Sequence, residues 1–239
     1  MEHTVPCFCI LKLKSLEELR DYKLLFMEKA LESWCQNVVD FCNPKADQLN
    51  LDYYCFQSAM PTFEPDLLII GINPGGNGAF KKKRTKNELS QGYNIYDVRE
   101  GHICPDNLQM VRKLSRVFTT PQLRNTLAAA TTMNIYYFNT QNVQQMDSAL
   151  SQEIRMFCQQ KLRELIHIIN PKHILFLCTE SKELVTLGVK DLKGAGCYTK
   201  TGIFEGVKIL ALPNPGFYRA YSYANGESMG KIITEYLNL

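Results

Sequence analysis

No stretch of about 18 apolar residues occurs in this chain, so a membrane-spanning helix is not expected. The opening Met1-Glu-His-Thr-Val-Pro-Cys7 lacks a charged segment followed by an apolar core, so a secretory signal is not expected either. Nine cysteines are present, but none pair as C-x-x-C, which leaves no zinc-ribbon or thioredoxin motif. Their odd count and scatter through apolar patterns predict reduced thiols in an intracellular protein, the cytoplasm of a prokaryote or the nucleus of a eukaryote. There is no internal repeat and no low-complexity segment. Net charge is only +3, which permits an anionic partner without requiring one.

What is present centres on Asp66-Leu-Leu-Ile-Ile-Gly-Ile-Asn-Pro-Gly-Gly-Asn-Gly-Ala-Phe80. The β-branched run to Ile72 reads as a buried strand bounded by Gly and Pro. Pro74 has no ladder donor and ends it, and the glycines at 75, 76 and 78 let the backbone come close to a ligand. Asn73 thus stands at the carboxyl end of a strand, where open α/β sheets bind ligands. No Gly-Lys-Ser/Thr follows, so this is not a P-loop, and Pro74 interrupts any G-x-G-x-x-G.

A helix is expected over residues 15–43, ended by Asn43-Pro44, and then mostly loop to residue 65. Lys81 to Cys104 reads as a long loop opening on the cluster Lys81, Lys82, Lys83 and Arg84, either a solvated face or a phosphate-binding one. Further strands are expected at Met133–Asn139, His173–Cys178 and Val207–Leu212, the last preceded by a hairpin about Glu205-Gly206. Helices alternate with them, including one long helix from Asp147 and Ser148 to Ile169. The pattern predicts a three-layer α/β/α fold with a central, mainly parallel four-stranded sheet. Residues 1–65 are expected to form a helical extension packed on a core domain spanning 66–239.

The fourth strand leaves through Leu212-Pro-Asn-Pro-Gly216, a second Pro-punctuated exit carrying an amide, Asn214. Together the two exits resemble the uracil-DNA glycosylase superfamily. Gly71-Ile-Asn-Pro-Gly75 is similar to the first motif of its mismatch-specific, thymine-DNA and single-strand-selective branches, and Leu212-Pro-Asn-Pro215 to the second motif. The resemblance covers about residues 66–239.

It implies hydrolysis of uracil or a related deaminated base from single- or double-stranded DNA, with no cofactor and no metal. Asn73 would orient the water. Asn139, at the end of Tyr-Tyr-Phe-Asn, would read the base with its donor and acceptor. Ile72, Pro74, Gly75 and Asn214 would complete the base site, with Phe80 stacking on the flipped ring and Tyr93 or Tyr96 as alternatives. Gly216, Phe217, Tyr218 and Arg219 lie where the family inserts a wedge into the duplex.

The chain departs from the family pattern in three places. Leu212 stands where many branches keep a His. No Asp follows the first motif where the fastest branch keeps its water-activating carboxylate. Residues 81–104, with Asp97 and His102, form an insertion. These departures support an alternative, a weak or inactive member that binds nucleic acid or a free base. A phosphoryl enzyme using the Gly-rich loop is a further alternative with little support.

Overall fold

The computed structural model describes residues 16–75, 80, 82–99, 109–216 and 218–239. These form a mixed α/β fold around one six-stranded sheet. In chain order the strands are β1 (Leu68–Gly71), β2 (Thr131–Asn134), β3 (Ile174–Phe176), β4 (Lys190–Gly196), β5 (Thr199–Phe204) and β6 (Val207–Ala211). The spatial order is β2-β1-β3-β6-β5-β4. The first four of these run parallel, while β5 pairs antiparallel with β6 and with β4.

Alternation along the parallel strands explains why the sheet is covered on both sides. Leu68, Ile70, Ile174, Phe176, Ile209 and Ala211 join one buried cluster, and Ile69, Leu175, Leu177, Leu210 and Leu212 join a second. Strands buried on both faces need near-continuous apolar sequence, which is what these segments supply. The first face is closed by α1 (Leu16–Leu49), α4 (Val143–Ala149), α5 (Gln152–Ile169) and α6 (Ser181–Leu187), which contribute Trp34, Met146, Leu162 and Leu184. On the second, α2 (Gln109–Leu114), α3 (Pro121–Ala129) and α7 (Tyr223–Leu237) contribute Leu114, Leu127 and Met229. The connection from β1 to β2 carries α2 and α3, and that from β2 to β3 carries α4 and α5. The chain therefore changes face between β1 and β3, and the crevice at their carboxyl ends is the topological switch point.

Several expectations are corrected. The sheet has six strands rather than four, because β4 carries no apolar pattern to mark it and the expected hairpin is the β5–β6 pair. Polar, glycine-rich Lys190–Gly196 survives as an exposed edge strand, where charge discourages further pairing. Pro44 does not end α1, which runs through it to Leu49. A proline inside a helix costs about 3 kcal/mol. That cost is offset by buried Ala46 beyond it and by the Asn43 side chain, whose Oδ1 accepts from Tyr53 Oη and Arg84 N and whose Nδ2 donates to Arg84 O. The long helix to Ile169 is two helices, because Ser151 caps a new start through Ile154 N.

The correction that matters most for the site concerns β2, which ends at Asn134 and not at Asn139. Residues 135–140 stay beside the first exit, with Ile135 N donating to Gly71 O and Tyr136 N to Ile72 O, both at 2.9 Å.

Candidate active site at three strand exits

Two connected observations define the site. A small cavity of about 40 Å³ is lined by Gly71, Asn73, Tyr96, Asn134 and Asn214, with Met110 and Leu177 among its apolar neighbours. Beside it a crevice of about 450 Å³ runs along the carboxyl ends of β1, β3 and β6, lined by Ile72, Cys178, Thr179, Glu180, Pro213 and Asn214. Asn214 belongs to both.

Asn134 pairs with Gly71 in the β1–β2 register. A Cβ on residue 71 would stand 2.5 Å from Asn134 Oδ1, so the glycine is what admits the amide. Asn134 is 1% exposed, and its Nδ2 is buried without a hydrogen-bond partner among the described residues. An orphaned buried donor costs about 1–3 kcal/mol, and in a cavity wall it is a donor held ready for a ligand.

Asn73 is fixed differently. Its Nδ2 donates to Thr140 Oγ1 at 2.8 Å and to Pro74 O at 3.0 Å, and Thr140 Oγ1 in turn donates to Asn142 O at 3.2 Å. Thr140 is fully buried, and its N–H donates to Pro74 O at 3.3 Å. Both amide hydrogens of Asn73 are thereby used, and Oδ1 accepts no hydrogen bond among the described residues. It is the acceptor the side chain still has to offer.

The second exit is held by three bonds. Gly216 N donates to Asn214 Oδ1 at 2.7 Å, Tyr221 Oη to Pro213 O at 2.5 Å, and Lys113 Nζ to Pro215 O at 2.5 Å. Burial, and then Tyr96, push the Tyr221 hydroxyl well above its ordinary range, so it remains a donor. Burial, and then Arg116, lower the Lys113 ammonium below its ordinary value. With Oδ1 engaged in the turn, Asn214 has its Nδ2 left for the site.

The remaining expected residues fall as follows. Asn139 lines neither cavity; its N–H donates to Asp52 O at 2.8 Å and its Oδ1 is buried without a partner among the described residues. Phe80 packs against the α1-side core. Tyr96 lines the small cavity, fully buried, with its hydroxyl donating to Gln57 Oε1 at 2.9 Å, whereas Tyr93 is exposed. Asp97 is buried and pairs with Arg99. Leu212 is fully buried, and Arg219 is exposed. Lys81, Phe217, His102 and the glycines at 76 and 78 lie outside the described residues, as does the Tyr218 side chain.

The basic cluster is largely engaged within the protein. Lys82 pairs with Glu88, and Lys83 lies 3.6 Å from Asp47. Arg84 grips Asp52 with two bonds at 2.7 and 3.1 Å, donates to Glu88 O, and stacks near Tyr53 and Tyr54. Replacing Arg84 by Met is expected to cost about 2 kcal/mol in urea unfolding, the scale of a charge-assisted bond. Unaltered stability would show that the bonds from Arg84 to Asp52 and Glu88 contribute nothing net to the fold.

Among the described residues no group of three or more His, Cys, Asp or Glu is placed to hold a metal, and no helix is long and apolar enough to cross a membrane. No protein-family model matches the chain and no curated protein matches it, so the resemblance stands on these residues and their arrangement.

Proposed function

We propose that this protein is an N-glycosyl hydrolase acting on nucleic acid, with its site at the switch point of a parallel sheet. Its substrate is uracil or a related deaminated base in DNA, flipped out of the stack. One observation carries the reading: Asn73, Asn134 and Asn214, from three strand exits, line a single cavity in which the Asn134 donor has no partner among the described residues.

Asn134 takes the base-reading role, with Nδ2 donating to a uracil carbonyl. Cytosine presents an amine at that place and would leave the donor unmatched, at about 1–3 kcal/mol. Asn73 Oδ1 accepts from the attacking water and aims it at the anomeric carbon. The C1′–N bond breaks and the C1′–O bond forms, the base leaves as an anion facing the Asn134 donor, and the proton given up by the water passes to the departed base, so that the products are the neutral base and a sugar hydroxyl at C1′. The cavity at 40 Å³ holds a water or two. Seating a pyrimidine requires the wall to open, and the partly exposed, unbranched Met110 is the lining side chain best able to swing aside. The 450 Å³ crevice then takes the sugar.

Incubation with oligonucleotides carrying uracil, hypoxanthine, xanthine or mismatched thymine tests the reading; abasic sites support it, and none on any substrate rejects it. The buried Leu212, where a His would support the leaving base, favours the second reading of a weak or inactive nucleic-acid-binding member. Thr140→Val should slow excision about 10-fold by freeing the Asn73 amide to turn, a loss of one positioning hydrogen bond. Thr140→Ser should restore the rate. Equal rates for the Val variant and the wild type would show that Thr140 does not orient Asn73.

A further inference from the structure

A second cavity, of about 680 Å³, lies outside this site, between residues 112–119 and the start of α7. That is within the range of about 300–1,000 Å³ usual for small-ligand sites. Arg112, Arg116, Thr119, Tyr223 and Glu227 line it. Its walls are locked together. A Cβ at Gly226 would come 2.4 Å from Arg116 O, and one at Gly230 would come 2.7 Å from Val117 O, so two glycines let α7 lie directly on the backbone opposite.

Inside the groove stands an aromatic ring that folding does not bury. Tyr223 is 79% exposed. Arg116 donates to Tyr221 O at 2.7 Å and holds its guanidinium 4.7 Å from the centre of the Tyr223 ring. One ring face is therefore backed by a cation and the other is open to a planar partner. Among the described residues two guanidinium groups and one carboxylate line the groove, and that carboxylate, Glu227, is paired with Lys231 at 3.0 Å.

Two elements tie the groove to the amide site. On and just after α2, Met110 lines the small cavity, Lys113 holds Pro215 O, and Arg112 and Arg116 face the groove. The second exit, after Gly216, leads through Tyr218–Tyr221 directly into Tyr223. The groove and the amide site thus share α2 and the chain that follows the second exit.

We propose that this groove binds the nucleotide flanking the target base on the same, unpaired strand, its base stacked on Tyr223 and its phosphate held by Arg112 and Arg116. The assignment of the flank rests on the glycosylase reading; the binding of a single strand does not. An unpaired strand is the occupant because a ring fixed at a groove wall can stack only on a base already released from its own stack, and guanidinium groups beside it match a phosphate.

The probe is a labelled, uracil-free oligothymidylate of about 15 nucleotides, followed by fluorescence anisotropy. Tyr223→Ala should weaken its binding about 5- to 100-fold, the range for losing one stacked base, and Tyr223→Phe should keep it. Melting temperature should be unchanged in both, since the side chain is in solvent. Wild-type affinity in the Ala variant, or equal loss in the Phe variant, overturns the proposal. So does equal, Tyr223-dependent binding of an acidic peptide. Loss of strand binding in the Ala variant alongside a blank excision panel leaves the groove standing and removes the glycosylase reading; excision with Tyr223-independent binding does the reverse.

Discussion

Asn134→Ala is expected to lower the rate of uracil excision by about 100- to 1,000-fold while leaving the fold intact. The magnitude comes from removing one preorganised donor aimed at charge that develops on the departing base, by analogy with oxyanion holes. The stability side is more diagnostic. Most buried asparagines support the fold through their amides, so truncation usually costs more than the lost packing. Here Nδ2 is buried with no partner among the described residues, an unmet donor worth about 1–3 kcal/mol. Truncation relieves that penalty and opens a small void, two effects of opposite sign and similar size. A melting temperature within a few degrees of wild type, combined with loss of excision, identifies an amide kept for a ligand. A variant that unfolds readily and excises normally when folded would assign Asn134 a structural part and end the base-reading role. Asn139→Ala, in the same assay, separates the two amides, since Asn139 lines neither cavity.

The contrast between those two asparagines shows how much of the site is legible in the chain. Three of the parallel strands, β1, β3 and β6, are legible as short apolar runs, and Asn73 and Asn214 are legible because proline marks both exits. Asn134 is hidden by its apolar successors. Ile135, Tyr136, Tyr137 and Phe138 are all buried, so the apolar run does not stop where the strand does. The chain beyond Asn134 keeps bonding to Gly71 and Ile72 and then meets the 52–54 segment, with Tyr54 N donating to Tyr137 O. Burial by these later partners extends the strand-like pattern to Asn139 and moves the apparent exit. The basic cluster is the same lesson in charge. Asp47 and Asp52, which engage Lys83 and Arg84, lie far back in the chain, so only folding reveals that the cluster is partly neutralised. Tyr96 reaches the site from an insertion with no periodic pattern. Its place depends on Gln57 and on backbone bonds such as Ile95 N to Gln57 O, which no local signal announces.

Raising the pH from 8 to 10 is expected to lower the melting temperature by about 10–20 °C, with little change between about pH 7 and 8. The cause is the set of buried thiols. Burial pushes Cys35 and Cys178 up to about 11 and Cys158 up to about 12, and holds Cys42 and Cys55 well above the ordinary value of 9.0. In the unfolded chain these groups ionise from about pH 9, while in the fold they keep their protons. Above that point the native state binds more protons than the unfolded one, so stability falls as pH rises and is fully present below it. Each thiol contributes roughly 1 kcal/mol at pH 10, and five give on the order of 5 kcal/mol, comparable to the whole net stability of a typical domain. Tyr53, Tyr96, Tyr137 and Tyr221, also raised by burial, steepen the fall beyond pH 10. All five thiols sit in the α1-side core, so the loss reports on packing of that face against the sheet. Melts in reductant, followed by circular dichroism, make the measurement, and Cys42→Ala should remove about one fifth of the slope. A melting temperature that holds steady between pH 8 and 10 would mean that these thiols ionise as freely in the native protein as in the unfolded chain. The helix from Leu16 to Leu49 would then not be closing the core as described.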